Sequence, residues 1–357
     1  MRRTREESSP LSFANAATPR THHTRRVIVS IVLILLVLAV GCGVAYLAFL
    51  NRTFTINVKH EALLPTPSSG ETSPADGSSN NGSSAEGPGA LNILLIGSDS
   101  KTSVANGRSD VIILMHISSD RKKVYLVHFP RDMYVSVPGH GKDKINAAYA
   151  YGGSQLLVRT LRNLVGVSPD HVAVVGFEGF AAMTDAVGGV DVYAEEASID
   201  EVYNEDRTKK WYNTVHVGMN HLDGQAALGF VRQRYQLKEG DISRGIREQE
   251  FLQALLLKVL SKETLTSPKR FAALVSAVAR NLTVDNAFSI SDIYAQALAM
   301  RNLRSEDIVF ITAPITGFGR SPQGASIDVV DTAKMAKLSI ALKNDDMSSI
   351  SLGQQIP

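Results

Sequence analysis

Residues 91–130 read LNILLIGSDSKTSVANGRSDVIILMHISSDRKKVYLVHFP and contain three apolar runs that polar turns separate. The runs cover 91–99, 109–118 and 123–130. Each is short, rich in Ile, Val and Leu, and bounded by turn residues, which is the pattern of a buried β-strand. We therefore predict three strands that follow one another closely in the chain.

Helical and extended patterns alternate after residue 130. Apolar residues at helical spacing predict helices, which cover 153–166, 178–189, 223–231, 246–260, about 268–281 and 290–302. Short apolar runs predict further strands, at 171–177, 190–194 and 307–314. The polar residues 195–218 predict a long loop. Strands that alternate with helices predict the α/β class, here a three-layer α/β/α domain with a central mixed β-sheet.

The most apolar segment lies near the N-terminus. Residues 27–50 read VIVSIVLILLVLAVGCGVAYLAFL and carry no charge. As a helix of about 1.5 Å per residue they would span about 36 Å, enough to cross a hydrocarbon core of about 30 Å. Arg25 and Arg26 precede them, so the positive-inside rule places residues 1–26 in the cytoplasm. We expect one uncleaved helix in the cell membrane with the rest of the chain extracellular; the alternative, a cleaved signal peptide, would have a shorter apolar core.

The residues after this segment divide into a tether, a domain and a tail. Residues 65–89 are rich in Ser, Gly and Pro, and 51–89 are therefore expected to form a flexible extracellular linker. The folded domain is expected at 90–342, followed by a loose polar tail at 343–357. The only cysteine, Cys42, lies in the apolar segment, so the domain must be held by its core without disulfides.

The formal net charge of the chain is +2, and it is unevenly distributed. Residues 1–26 hold six arginines against two glutamates, so the rest carries a formal charge of −2. A nucleic-acid-binding protein usually presents a broad basic surface, and this near-neutral body argues against that function. Four arginines nevertheless crowd into residues 230–250, FVRQRYQLKEGDISRGIREQE. They are Arg232, Arg234, Arg244 and Arg247, and they indicate a local site for an anion.

Charged residues also stand at the ends of the three strands. Asp99 ends the first, Asp110 opens the second and Arg131 follows the third. A lone aspartate there is usually a turn or cap residue, but ligands of α/β folds gather where strands end. Asp99 and Asp110 would share Mg²⁺, which one or two carboxylates plus substrate phosphates typically hold. The guanidinium forks of Arg131, Arg232 and Arg234 would then bind phosphate oxygens at two points.

The spacing of the arginines predicts their orientation. Arg232 and Arg234 share a face only on an extended segment, so we expect the helix that Asp223 caps to end before Arg232. Arg244 and Arg247 share a face of the next helix. Their alternative role is a surface ion-pair network, which we expect for Arg247 in particular. The glutamates available to that network are Glu239, Glu248 and Glu250.

Other catalytic motifs are missing from the sequence. It contains no Walker loop, no Gly-x-Ser-x-Gly elbow and no His-Glu-x-x-His. His216 and His221 are five residues apart and not four, so no zinc site on one helical face is predicted. The residues alone therefore indicate a metal-assisted phosphate or pyrophosphate site outside the membrane.

Six segments, in this order, resemble the LytR-CpsA-Psr family of bacterial cell-envelope proteins. They are NILLIGSDS, RSDVIILM, PRDMYVSVPGHGKDKINAAYAYGG, VGFEGFAAMTDAVGGVDV, HLDGQAALGFVRQR and DISRGIREQE. The resemblance is close over residues 91–260 and looser to about residue 315. It implies a Mg²⁺-dependent phosphotransferase that moves a glycopolymer from a polyprenyl-pyrophosphate carrier to peptidoglycan through a phosphodiester link. It also implies an apolar channel for the prenyl chain.

The resemblance assigns roles to individual residues. Asp99 and Asp110 match the positions that bind Mg²⁺. The residues that match phosphate-binding positions are Arg108, Arg131, Arg232, Arg234, Gln249 and Lys144, and the resemblance makes Arg108 and Arg131 catalytic residues as well. Asp241 matches a further catalytic position, where it would orient an arginine or accept the proton of the attacking sugar hydroxyl; we favour orientation. Two positions depart from the family pattern: Lys101 replaces an arginine, and His128 stands where a small polar residue is common.

Two other functions use the same residues. A pyrophosphatase would replace the sugar acceptor by water. A non-catalytic envelope sensor or attenuator would bind lipid pyrophosphate without turning it over. A binding module would need the arginines but not both metal-binding carboxylates, so their joint presence favours catalysis.

Overall fold

The structure is a computed structural model, and it describes residues 45–46, 48–65, 89–98, 109–203, 210–233, 237–238 and 241–350. The chain divides into two units, Met1–Phe49 and Leu50–Pro357, and the fold described below is that of the second. Most of the predicted membrane anchor, 27–50, lies outside the described residues. Within the described ranges, no helix is both long enough and apolar enough to cross a bilayer.

Strands and helices alternate along the second unit. The strands are β1 (Lys59–Glu61), β2 (Leu91–Ser98), β3 (Ser109–Ile117), β4 (Val124–His128), β5 (Tyr134–Val137), β6 (Gly141–Lys144), β7 (His171–Val175), β8 (Val190–Ala194), β9 (Ser198–Tyr203), β10 (Lys210–Val215), β11 (Gly218–Leu222), β12 (Leu282–Asp285), β13 (Ile308–Thr312), β14 (Ile315–Arg320) and β15 (Ser326–Val330). The helices are α1 (50–57), α2 (Ile145–Val165), α3 (Phe177–Ala186), α4 (Gly224–Arg232), α5 (Asp241–Leu260), α6 (Lys262–Thr266), α7 (Pro268–Asn281), α8 (Ile290–Ala299) and α9 (Thr332–Lys343).

The central sheet has the strand order β1-β12-β7-β2-β3-β4-β13. β2 runs antiparallel to β3 and parallel to β7, while β4 runs antiparallel to β3 and parallel to β13. The predicted mixed sheet is therefore confirmed, and the three strands of residues 91–130 lie side by side within it.

The two faces of the sheet are packed differently. On one face, Leu94, Ile112 and Val127 are fully buried under helices α2 and α9, with Leu157 and Leu338 in the same core. Burial of each such side chain contributes about 1.5–3 kcal/mol to folding, so this face is the main stabilising layer.

The opposite face carries a row of apolar residues that is less completely covered. The strand registers place Met115 between Ile93 and Leu126, and Leu126 beside Phe310. Met115 and Phe310 are only partly buried, as are Leu95 and Val175 on the same face. Ile93 and Leu126 are buried, but the partly exposed side chains beside them leave room for an apolar occupant.

The folded unit extends beyond the predicted domain at both ends. β1 pairs in parallel with β12, so the prediction that 51–89 is all linker is wrong at its start; residues 66–88 lie outside the described part. The tail predicted from residue 343 is also partly folded, because Met347 is 3% exposed and Asp345 Oδ1 lies 2.9 Å from His116 Nε2. β1 and the start of the tail are polar in sequence and owe their order to long-range contacts.

Two local predictions are wrong for identifiable reasons. The expected loop at 195–218 contains the antiparallel pair β9–β10, whose polar residues hide its extended pattern. The helix expected at 153–166 is the second half of α2, which begins at Ile145. Gly152 and Gly153 leave helical φ/ψ in the middle of α2, and this kink interrupts the helical spacing of the sequence.

Candidate functional site

The ends of several central strands meet at one edge of the sheet. Ser98, the last residue of β2, pairs with Ser109, the first of β3, across a register shift. His128 at the end of β4 pairs with Ile113 and with Thr312. The segments that follow β2 and β4 therefore leave the sheet on the same side as the segment that enters β3.

This register bears on the proposed metal ligands. Asp99 follows Ser98 directly but lies outside the described residues, and only the backbone of Asp110 is described. Their neighbours Ser98 and Ser109 are paired on adjacent strands, which is the arrangement that two carboxylates need to share one ion. Carboxylate oxygens are the type of ligand that Mg²⁺ takes, so the chemistry of this donor pair suits that ion. Within the described ranges, no group of three or more His, Cys, Asp or Glu is placed to hold a metal.

Arg131 and Lys144 are brought together by Asp132. Lys144 Nζ lies 2.7 Å from Asp132 Oδ1, and Arg131 Nε lies 3.8 Å from Asp132 Oδ2. The backbone fixes this arrangement, because Asn146 N donates to Arg131 O at 3.2 Å at the start of α2. Arg131 and Lys144, both predicted to bind phosphate, thus contact the same carboxylate. Sequence reasoning missed Asp132 although it directly follows Arg131.

Asp328 is a second residue that sequence reasoning missed. Its backbone N–H donates to Asp132 O at 3.0 Å, which places β15 against the loop after β4. Burial raises the pKa of Asp328, Asp132 raises it further, and Lys144 opposes the rise. A partly buried carboxyl group therefore borders the cluster of Arg131, Asp132 and Lys144. Nearly two hundred residues separate Asp328 from Asp132, and no local pattern connects them.

The start of α5 lies over the end of β4. Burial and, to a smaller extent, the charge of Arg244 lower the pKa of His128 to about 4, so His128 is neutral at physiological pH. Arg244 Nε lies 3.3 Å from Glu248 Oε1 one turn along α5. A helix N-terminus carries partial positive charge, which adds to that of Arg244 and favours an anion here.

Arg247 is a structural residue, as the sequence predicts, but its partners differ from those expected. Its side chain donates to Ser198 Oγ at 2.9 Å and to Glu196 O at 2.8 Å. The guanidinium carbon lies 4.6 Å from the ring centroid of Phe230, and the residue is only 4% exposed. Arg247 therefore fixes α5 on β9 and α4, and its guanidinium is buried away from any phosphate.

The segment between α4 and α5 is anchored by Glu196. The Lys238 N–H and the Ser243 hydroxyl each donate to a carboxylate oxygen of Glu196 at 2.7 Å. These hydrogen bonds, that of Lys238 first, lower the pKa of Glu196. Glu196 therefore holds Lys238 and the first turn of α5, the helix that Asp241 begins. Sequence reasoning missed it because its partners are more than forty residues away.

The end of α4 departs slightly from the prediction. Asp223 caps the helix as expected, since its carboxylate accepts from Ala226 N at 2.8 Å. Arg232, however, is the last helical residue, and the extended backbone begins at Gln233. The helix thus ends one residue later than predicted. Arg232 is exposed; Arg234 and Arg108 lie outside the described residues, and the side chain of Asp241 is not described.

Gln249 borders a cavity of about 1150 Å³ between α5, β13 and α9. Phe310 and Thr312 of β13 line the same cavity. Burial, and then the charge of the nearby Glu195, raises the pKa of Glu250 in this wall. The predicted site residue Gln249 therefore faces open space beside the edge strand and close to the end of β4.

Comparison with known proteins identifies the group to which the chain is similar. Residues 53–344 match the LytR_cpsA_psr family. The chain is 36% identical over 241 residues to the probable cell wall biosynthesis protein LcpB of Corynebacterium glutamicum, which covers 64% of this chain and 55% of the relative. The chain thus spans about half the length of that relative.

Two further proteins are similar over more of their length. The polyisoprenyl-teichoic acid–peptidoglycan teichoic acid transferase TagU of Enterococcus faecalis is 30% identical over 257 residues, covering 71% of this chain and 79% of TagU. The crystal structure of TagV from B. subtilis superposes with a TM-score of 0.61 at 26% identity, covering 72% of this chain and 97% of TagV.

Proposed function

Because the chain belongs to the LytR-CpsA-Psr family, we propose that it is a membrane-anchored phosphotransferase that moves a glycopolymer from a polyprenyl-pyrophosphate carrier to peptidoglycan. The observation that carries this proposal is the cluster of Arg131, Asp132 and Lys144 at the strand edge, beside the paired ends of β2 and β3. The printed name of TagU, a transferase from a polyisoprenyl-linked polymer to peptidoglycan, supports the substrate classes.

The proposed reaction is a displacement at phosphorus. A sugar hydroxyl of peptidoglycan attacks the phosphorus that carries the glycopolymer, and the bridging P–O bond breaks. Polyprenyl phosphate leaves with the electron pair of that bond, the hydroxyl gives up its proton to Asp241 or to solvent, and the new link is a phosphodiester. Negative charge grows on both phosphoryl groups during this step, so fixed cations around them lower the barrier.

Several side chains of this protein would together bind the two phosphoryl groups. Arg131 and Lys144, already aligned on Asp132, would bind non-bridging oxygens, and the remaining phosphate-binding residues would complete the site. These are Arg108, Arg232, Arg234 and Gln249. Asp241 would orient Arg232 or Arg234, or accept the proton of the attacking hydroxyl, and we favour orientation.

Asp99 and Asp110 would hold Mg²⁺. When bound, this ion would supply positive charge next to the phosphoryl oxygens. The pairing of Ser98 with Ser109 supports this assignment, because it brings the two aspartate-bearing ends of β2 and β3 to one place.

The less covered face of the sheet is the proposed place for the prenyl chain. Ile93, Met115, Leu126 and Phe310 form a continuous apolar row across β2, β3, β4 and β13. On β4 the row lies two residues before His128. Arg244, which is near His128, stands at the phosphate end. A photoreactive prenyl analogue should therefore label this row, and labelling confined to the α2 side of the sheet would overturn the placement.

We also propose that residues 1–26 are cytoplasmic and that the domain is extracellular. A protease added outside intact cells should cut within residues 65–89 and leave the arginine-rich tail protected. Cleavage of residues 1–26 from outside would contradict this orientation.

The function is tested with the full chain in lipid vesicles. It is given polyprenyl-pyrophosphoryl oligosaccharide with Mg²⁺, with and without un-cross-linked peptidoglycan strands, and the products are identified by mass. A phosphodiester-linked product that forms only with peptidoglycan is the expected result. Release of phosphorylated oligosaccharide without an acceptor would instead identify a pyrophosphatase, and lipid binding without any product would identify a sensor or attenuator.

A further inference from the structure

A pair of stacked aromatic rings lies exposed beside the candidate site. The imidazole of His140 and the phenol ring of Tyr151 are nearly parallel, with centroids 4.4 Å apart and an interplanar angle of 11°. Tyr151 retains 51% of its surface exposed, and His140 is exposed as well. A single exposed tyrosine needs no explanation, but in this pair each ring covers one face of the other, so a ligand would meet an outer ring face.

Two unusual backbone segments build this pair. His140 lies in the turn between β5 and β6, between Gly139 (φ 80°) and Gly141 (φ 75°). Nothing lies within 4 Å of a Cβ at either glycine, so both are required by their left-handed backbone and not by close packing. Tyr151 immediately precedes the kink of α2, where Gly153 has φ 60°. The rings therefore meet because a tight turn and a helix kink both direct them to the same place.

A carboxylate borders the rings. The Tyr151 hydroxyl donates to Asp143 Oδ2 at 2.6 Å, and Asp143 Oδ1 accepts from Lys144 N at 2.7 Å. The hydrogen bond and charge of Asp143 raise the pKa of Tyr151, so the phenol stays a donor. An ionised carboxylate has about four acceptor positions, so Asp143 can accept further hydrogen bonds from a ligand.

The combination selects one class of ligand. Ring faces take apolar C–H groups, while the carboxylate takes hydroxyl donors through charge-assisted hydrogen bonds. A nucleotide or another anion would be repelled by Asp143, and a lipid tail would leave it without donors. A sugar ring, which carries C–H groups on its faces and hydroxyls around its edge, satisfies both parts.

The rings are joined to the phosphate site through β6. Lys144 follows Asp143 directly, and its Nζ reaches Asp132 beside Arg131. His140 precedes Lys144 by four residues, which is about 13 Å along a strand at about 3.3 Å per residue. A glycan whose reacting end lies at Arg131 and Lys144 can therefore place another of its sugars on the rings.

We propose that His140, Tyr151 and Asp143 form a saccharide subsite that binds a sugar ring near the reacting phosphoryl group. The proposal rests on the transferase function above, which supplies two sources of sugar: the glycopolymer of the donor and the glycan strand of the acceptor. Both present the same chemistry, and the experiment distinguishes them.

The test measures binding separately from transfer. The full chain in lipid nanodiscs is titrated with soluble un-cross-linked peptidoglycan strands, with polyprenyl-pyrophosphoryl oligosaccharide, and with sugar-free polyprenyl pyrophosphate. For Tyr151→Ala and His140→Ala, Kd for one of the two glycans should rise about three- to tenfold, the size of one lost aromatic contact. Affected peptidoglycan strands assign the subsite to the acceptor, and affected lipid-linked oligosaccharide assigns it to the donor. Sugar-free lipid should bind as in the wild type.

Matched variants separate the subsite from general damage. Tyr193→Ala removes another tyrosine, 49% exposed on β8, and should leave all three Kd values unchanged. Tyr151→Phe keeps the ring but loses the bond to Asp143, so its effect should be smaller than that of Tyr151→Ala. Should Tyr151→Ala lower the unfolding temperature, His140→Ala at the exposed turn decides the question.

The outcomes keep the two proposals apart. Unchanged Kd values for both glycans in Tyr151→Ala and His140→Ala would overturn the subsite, whatever the transfer assay shows. The wild-type chain could also perform no transfer while these variants still bind glycan more weakly. That result would support the subsite and reject the transferase function.

Discussion

Arg244 and Arg247 lie three residues apart on α5, yet the structure predicts opposite consequences for their replacement. Arg247→Ala removes two hydrogen bonds from a buried guanidinium, to Ser198 Oγ and Glu196 O, and its contact with the Phe230 ring. Such hydrogen bonds contribute about 1.5–3 kcal/mol each, and a cation–π contact about 0.5–2 kcal/mol. The lower ends of these ranges together give a loss of about 3.5 kcal/mol in the free energy of unfolding, or roughly 7 °C in Tm.

Arg244→Ala should behave in the reverse manner. Its ion pair with Glu248 is an i,i+4 pair, which contributes only about 0.3–0.5 kcal/mol to stability. On the proposed function, its charge at the start of α5 would act on the pyrophosphate, and its loss should then weaken lipid-pyrophosphate binding by about 1.5–3 kcal/mol. The measurements are urea and thermal unfolding of the unit that begins at Leu50, and lipid binding of the full chain at 20 °C.

Each variant serves as the control of the other. If Arg244→Ala lowered the unfolding free energy as much as Arg247→Ala, the assignment of Arg247 as the structural member would be wrong. Equally damaging would be an Arg247→Ala protein that kept wild-type stability and lost lipid binding.

The other predictions concern the phosphate site and the segment that carries it. Arg232→Ala or Arg234→Ala should weaken lipid-pyrophosphate binding by about 1.5–3 kcal/mol, and lysine at either position should restore only part, since it lacks the two-point fork; full recovery would reject the fork. Asp110→Asn should abolish transfer while the lipid is still retained, and added Mg²⁺ should partly rescue Asp99→Asn; transfer at wild-type rates in both, or in a chelator, would remove the metal from the mechanism. The pKa of Glu196 is lowered in the folded state, so its two hydrogen bonds stabilise the segment above the ordinary glutamate pKa and are lost as pH falls through the folded value. In the wild type, proteolysis of 233–241 should therefore be faster in acid than at neutral pH, and in Glu196→Gln it should already be fast at neutral pH. A wild type that is cleaved at the same rate at both pH values would contradict this role.

The sequence predicts the central strands well because their signal is local. β2, β3 and β4 are continuous apolar runs, buried on one face and largely covered on the other, and no helical spacing competes with them. β1 escapes prediction because Lys-His-Glu has no apolar pattern, and its order comes from pairing with β12, more than two hundred residues away. β9 and β10 escape for a similar reason, since each is a polar strand of a two-stranded ribbon.

The same distinction applies to the candidate site. Arg131 follows from the charges at strand ends, a rule that needs only the chain order, whereas Lys144 follows from the family resemblance. Asp328 and Glu196 act through partners that are distant in sequence, and only the folded backbone brings them close. Sequence reasoning thus finds groups that would touch the substrate and misses groups that position them.

A carboxylate beside phosphate-binding cations repels the anion unless cations pair with the carboxylate or protonation removes its charge. Asp132 is paired with both cations, because one of its oxygens lies 2.7 Å from Lys144 Nζ and the other 3.8 Å from Arg131 Nε. It relieves the repulsion between these two cations and holds both in place before a phosphate arrives. Asp328 ionises less readily, because burial and then the charge of Asp132 raise its pKa. Its neutral form therefore persists to higher pH than in an ordinary aspartate. The raised pKa of Asp328 therefore reduces the negative charge that this carboxyl group adds beside Arg131 and Lys144.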